Sequence, residues 1–116
     1  MSGKIDDTLR LNHIIDAIVH IESFIEGISF DNFIKNELIT SAVIRKLEII
    51  GEASNHLSSS IKNKYSETDW VQIVGFRNII AHEYFIVDNE LVWEVVQNDL
   101  PSFKQVMINI LEEFNN

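Results

Sequence analysis

The sequence predicts an all-α protein: an up-and-down helical bundle of four or five helices, built as one domain over residues 1–116. Three observations lead there. Breakers are scarce, with one proline and four glycines in 116 residues. Apolar residues recur at alternating three- and four-residue steps, the period of one helix face. Short polar residues able to cap a helix stand before the periodic runs.

Taken in order, Asp6, Asp7 or Thr8 is expected to cap a first helix. Leu11, Ile14, Ile18, Ile21, Ile25 and Ile28 form its coiled-coil-like seam, and Ile15, Val19 and Phe24 add a second apolar edge. Gly27 to Ser29 closes it. Phe30 to Phe33 reads as a short turn with its own cap. A second long helix is expected from about Glu37 to Leu57, with Ile39, Val43, Leu47, Ile50 and Leu57 as its stripe. Gly51 and Ala53 would allow a neighbour close approach. Ser58 to Ser60 ends this helix and caps a short turn through Tyr65. Asp69 caps the next helix, which starts at Trp70 and frays near His82 to Phe85. Asp88 or Asn89 opens a last helical region carrying Leu91, Val92, Val95, Val96, Phe103, Val106, Ile110 and Phe114. Pro101 inside it implies a kink or a fresh start at Asp99-Leu100-Pro101.

Composition narrows the function. Hydrophobic residues make up 46% of the chain, enough for a packed core. Cysteine is absent, which removes disulfides and thiolate chemistry and fits a reducing, cytoplasmic setting. No secretory leader pattern is present, and no apolar run approaches the roughly 18 residues of a membrane span. Nine Lys and Arg against 18 Asp and Glu give a formal charge of −9. That argues against broad, salt-driven binding to nucleic acid, which relies on basic surface. It leaves room for a nuclease with a local positive site, and it favours a basic partner.

The run Arg77-Asn78-Ile79-Ile80-Ala81-His82-Glu83-Tyr84 stands out. It sets a permanent cation, an amide, an imidazole and a phenol between apolar stretches, Trp70 to Phe76 before and Phe85 to Val87 after. An unpaired guanidinium is costly to bury, so the cluster requires an explanation. One is a polar network that pins helices together. The other is chemistry on a phosphodiester. Metal-free RNA cleavage needs a base for the ribose 2′-hydroxyl, an acid for the leaving 5′-oxygen and a cation for the phosphorane charge. Histidine suits both proton transfers because its ordinary pKa is about 6.5. Arginine suits the third because its planar fork grips phosphate oxygens and stays charged. Arg77 and His82 supply one of each, and Asn78 is placed to orient the imidazole or a phosphate. Asn78 and His82, four residues apart, share a helix face, whereas Arg77 lies roughly 140° round from His82. One copy carries one such histidine; a two-fold dimer would bring two histidines and two arginines to one cleft.

Elsewhere the expectation is ordinary. His13, His20 and His56 lack a comparable cluster, Trp70 and Trp93 read as core, and most acidic residues read as solvated faces. Glu52 lies in an apolar run and is expected to form a plain helix salt bridge, the alternative being a pairing with Arg45 or Arg77. On its own residues Tyr84 reads as a half-buried aromatic with a wet hydroxyl.

The Arg77–Tyr84 run resembles the signature of the HepT-like branch of the HEPN superfamily: Arg, a polar residue, a short spacer, His, any residue, Tyr. The likeness extends through Phe85, Val87-Asp88, Val92-Trp93 and Asn98-Asp99-Leu100-Pro101. It also covers Arg45, Leu47 to Ala53, the Trp70, Ile73 and Gly75 approach, and upstream Arg10-Leu11, His13-Ile14 and Ile28-Ser29-Phe30. The resemblance implies a HEPN-like α-helical bundle that dimerises with its motifs facing a shared cleft. It implies a metal-independent endoribonuclease, the toxin of a toxin–antitoxin pair whose antitoxin is a minimal nucleotidyltransferase. In the family that partner uses ATP to place AMP on the motif tyrosine and so silences the toxin. Carried over, Arg77 and His82 are catalytic, Asn78 assists, Tyr84 is the AMP acceptor, and cleavage itself needs no cofactor. Two other readings stay open on the residues: a non-catalytic helical subunit that binds nucleotide or RNA and regulates the nucleotidyltransferase, and an acidic structural dimer.

Overall fold

A computed structural model of the chain describes residues 2–76 and 88–115. Among them the ordered elements are helical: α1 (Ser2–Ile25), α2 (Phe30–Lys35), α3 (Glu37–Asn55), α4 (Ser59–Lys64), α5 (Trp70–Gly75), α6 (Asn89–Glu94), a π-helical turn (Val95–Asp99) and α7 (Leu100–Asn115). The last three run on without a break, so α6, the π turn and α7 form one C-terminal rod. The fold class is the all-α bundle expected. The described pieces outnumber the expected four or five because α2 and α4, which the sequence suggests as turns, each complete a helix of six residues.

The core is the seam predicted for α1 laid against α3 and α7. Leu11, Ile14, Ile18 and Ile21 of α1 meet Val43, Leu47 and Ile50 of α3 and Met107 and Ile110 of α7, all of them removed from solvent. Burial of each such side chain contributes roughly 1.5–3 kcal/mol before entropy is counted. Ile25 and Ile28 finish the seam only partly buried. Val19, expected on a second apolar edge, is exposed, because the neighbours of α1 cover a narrower arc than its apolar residues span. A Lys104–Glu22 ion pair of 2.9 Å adds a polar clamp between α7 and α1.

Caps determine where the pieces begin. Ser29, Asn36, Ser58, Asp69 and Asp88 have non-helical backbone, and each accepts from a backbone N–H three residues on. Gly27, with φ 72°, occupies the left-handed position that ends α1. At the other end of α3, the Lys62 ammonium donates to the Asn55 carbonyl at 3.0 Å, a cation on a helix C-terminus.

The expected cap of α1 needs correction. The helix already runs from Ser2, so Asp6, Asp7 and Thr8 lie within it. Asp7 does cap, but elsewhere: its carboxylate is 5% exposed and accepts the Ser58 N–H at 2.9 Å. A buried acceptor 51 residues from its donor thus ties the first turns of α1 to the start of α4. Glu52 makes a local helix pairing rather than one with Arg45. Arg45 pairs with Glu48 at 3.9 Å, since three residues bring two side chains over one another and seven put two turns between them. Glu52 is exposed and meets the His56 ring at 3.0 Å.

Candidate functional site

In sequence the polar motif is flanked by two anchored helices, α5 before it and α6 after it. Asp69 opens α5 by accepting the Gln72 N–H at 3.1 Å. Trp70 fixes its first turn: the indole N–H donates to the Tyr65 carbonyl at 3.1 Å, and the ring meets Phe103 edge-on at 6.0 Å. Ile73 and Phe76 are buried in the core, while Val71 on the opposite side is 86% exposed. The chain therefore arrives at Arg77 directly after a buried aromatic. Beyond the motif, Asp88 caps α6 by accepting the Leu91 N–H at 3.0 Å. Val92 is buried, and Trp93 packs on Phe33 at 5.0 Å and Phe30 at 5.9 Å.

The four site residues expected from the sequence, Arg77, Asn78, His82 and Tyr84, lie outside the described residues, as does any Arg77–Glu52 pairing. What the described residues provide is the frame around them. A cleft of about 620 Å³ runs beside α5, with Tyr65, Asp69, Gln72, Asp99 and Phe103 among the residues lining it. Its charged lining is mostly acidic, Glu67, Asp69 and Asp99 against Lys64, so it offers no attraction to a phosphate backbone. Lys64 is moreover engaged. It and the Tyr65 hydroxyl both donate to the Glu113 carboxylate. Those bonds, Lys64's first, lower the Glu113 pKa from its ordinary value; its carboxylate raises those of Lys64 and Tyr65. Among the described residues, no group of three or more His, Asp or Glu is placed to hold a metal ion.

Sequence reasoning overlooked Gln72, and noted Asp99 only at the Asp99-Leu100-Pro101 irregularity and in the family likeness. Gln72 Nε2 donates to Asp99 Oδ2 at 3.1 Å, bridging α5 and the π turn. Pro101 marked the irregularity without showing what it faces.

Comparison with known proteins fixes the family. Residues 14–110 match the family model "Ribonuclease HepT-like". The chain belongs to that family. Its enzymatic class is accordingly that of the HepT-like proteins, an endoribonuclease. A "Putative RNase" of Methanocaldococcus jannaschii is 39% identical over 103 residues, which cover 89% of this chain and 94% of that one. The "Probable ribonuclease HepT" of Thermococcus cleftensis is 39% identical over 94 residues, covering 81% and 86%. A longer M. jannaschii protein, "Gamma-glutamylcyclotransferase and putative RNase", is 37% identical over 110 residues, which span 95% of this chain and half of that protein. No solved structure matches. Among the described residues, no helix of this HepT-like chain is long and apolar enough to cross a membrane.

Proposed function

We propose that this HepT-like ribonuclease is a toxin that cleaves RNA without a metal through Arg77 and His82 in the cleft of a homodimer. Its antitoxin is a minimal nucleotidyltransferase that silences it by AMP transfer to Tyr84. The observation that carries the reading is the family match over residues 14–110, which contains the whole Arg77–Tyr84 run. The frame supports it: α5 delivers the chain to Arg77 from a buried Phe76, and the Asp88 cap receives it again.

In this mechanism one imidazole takes the proton from the ribose 2′-hydroxyl as that oxygen attacks phosphorus. The bond from phosphorus to the 5′-oxygen breaks, and a protonated imidazole gives that oxygen its proton. The products are a 2′,3′-cyclic phosphate and a 5′-hydroxyl end. The guanidinium of Arg77 holds the phosphorane oxygens, and Asn78 orients the ring or a phosphate. A dimer supplies both an acid and a base from one motif.

Silencing follows from the same geometry. The Tyr84 hydroxyl attacks the α-phosphorus of ATP on the partner and pyrophosphate leaves. An AMP two residues from His82 then fills the cleft and repels the RNA backbone. The charge of −9 suits a basic partner surface. The test is incubation with the nucleotidyltransferase and ATP. The expected result is a mass gain of whole AMP units, with loss of RNA cleavage, that Tyr84→Phe prevents. A mass gain persisting in Tyr84→Phe would contradict the assignment. Arg77→Lys, which keeps the charge and loses the fork, is expected to reduce cleavage by about 100-fold or more.

A further inference from the structure

A groove of about 410 Å³ separates the C-terminal turns of α1 from the π turn and the start of α7. Ile21, Val96 and Leu100 are its buried lining. Ile25, Ile28 and Trp93 are only partly covered, so the groove keeps apolar surface open to water. Its charged lining is of one sign. Glu22 and Glu26, one helical turn apart, both line it, and no cation among the described residues does. Glu22 is held by Lys104 at 2.9 Å. Glu26 is exposed, and its carboxylate has no ion-pair or hydrogen-bond partner among the described residues. The π turn adds acceptors. In a regular helix the Val96 carbonyl would accept the Leu100 N–H and the Gln97 carbonyl that of Pro101. The Leu100 N–H goes instead to the Val95 carbonyl, and proline has none to give. Two residues that line the groove thus carry carbonyls without their helical donors.

An occupant matched to this lining brings apolar surface, hydrogen-bond donors and positive charge together. Arginine and lysine combine an aliphatic stem with a cationic head that only donates. RNA is a poor match, because its phosphates would meet Glu22 and Glu26. An anionic lipid surface is repelled in the same way. A second copy brings a further charge of −9, and its Arg45, Lys62, Lys64 and Lys104 are already engaged. We propose that the groove between α1 and the π turn docks a short segment of a partner protein in which an apolar side chain stands beside Arg or Lys. The apolar side chain covers Ile25, Ile28 and Trp93, and the cation meets Glu26. The inference rests on the basic-partner part of the proposed function and not on the roles of Arg77, His82 or Tyr84.

The test is fluorescence anisotropy of a labelled amphipathic helical peptide of leucine and arginine, titrated with the full chain at physiological ionic strength. Two control peptides carry serine for leucine or glutamate for arginine. The leucine–arginine peptide is expected to bind and both controls to fail. Glu26→Lys is expected to weaken binding about 10-fold or more, with Tm unchanged because the residue is exposed. Glu112→Lys makes the same change in net charge on the exposed side of α7, eight residues or about 12 Å beyond Lys104. Screening over that distance is expected to hold its effect below about 2-fold. Equal weakening by the two variants would overturn the groove and leave a basic partner standing. No binding of the leucine–arginine peptide would overturn both. Equal binding of the serine peptide would show charge alone at work and overturn the inference. A wild-type dimer that Glu26→Lys splits, seen by sedimentation, would overturn it by giving the groove to a second copy.

Discussion

The α1–α3 interface and the contact between α5 and the C-terminal rod are built on opposite rules. The first is long, regular and dry: Leu11, Ile14, Ile18 and Ile21 against Val43, Leu47 and Ile50. The second is short and mixed. The six-residue α5, which packs chiefly on α3, meets the rod through the Trp70–Phe103 ring contact and the Gln72–Asp99 bond to a π turn. The first can supply most of the stability because every element of it repeats. The second adds little apolar area, yet it leads into the residues expected to do chemistry. Short helices are marginal without tertiary contacts, so α5 owes its position to its fastenings.

This contrast can be tested by perturbing each region and asking which property moves. The largest effect on stability is expected in the regular region. Leu47→Ala would leave a cavity in the dry interface and cost about 2–5 kcal/mol, read by denaturant unfolding. A loss below about 1 kcal/mol would mean that the interface collapses around the gap and is looser than described. An intermediate effect is expected where a polar group is buried. Asp7→Ala removes the acceptor of the Ser58 N–H and is expected to cost about 1–2 kcal/mol, with Asp7→Asn recovering part of it. Equal loss in both variants would show that the charge, rather than the acceptor, matters there.

The smallest effect is expected at the exposed Lys64–Tyr65–Glu113 cluster, and it is pH-dependent. The Glu113 pKa is lower in the folded protein than in the unfolded chain, so its contribution is present above the unfolded value of about 4.3. It is lost as pH falls through the lower folded value. Wild type should therefore melt slightly above Glu113→Gln at pH 7, and the difference should close as the solution is acidified below about pH 4. Lys64 and Tyr65 are shifted upward, so the same contact fades at the alkaline end, as pH rises above about 10. A Tm difference unchanged between pH 7 and pH 3 would remove Glu113 from the account.

The two regions also differed in how much the sequence disclosed. The seam of α1 and the stripe of α3 were legible because helical period translates directly into burial. The caps at Ser58, Asp69 and Asp88 were legible because each acts three residues away. Asp7 was misread for the complementary reason. Its partner Ser58 is 51 residues distant, and nothing local separates an aspartate that caps its own helix from one that caps another. Gln72 and Asp99, 27 residues apart, were hidden in the same way, although Pro101 announced the irregularity that joins them. Of the candidate site, residue types and order were legible in Arg77–Tyr84, and the family match includes them. Their geometry depends on side-chain placement, which spacing alone does not give.

The central claim is that His82 of this HepT-like chain moves a proton during RNA cleavage. It is tested most directly by incubating total RNA with purified wild type and His82→Ala, without added metal or partner. Intact mass and Tm are recorded on the same samples. The account predicts that wild type of unmodified mass cleaves and that His82→Ala, melting at the same temperature, does not. Equal cleavage by both proteins, or none by an unmodified wild type, would contradict it.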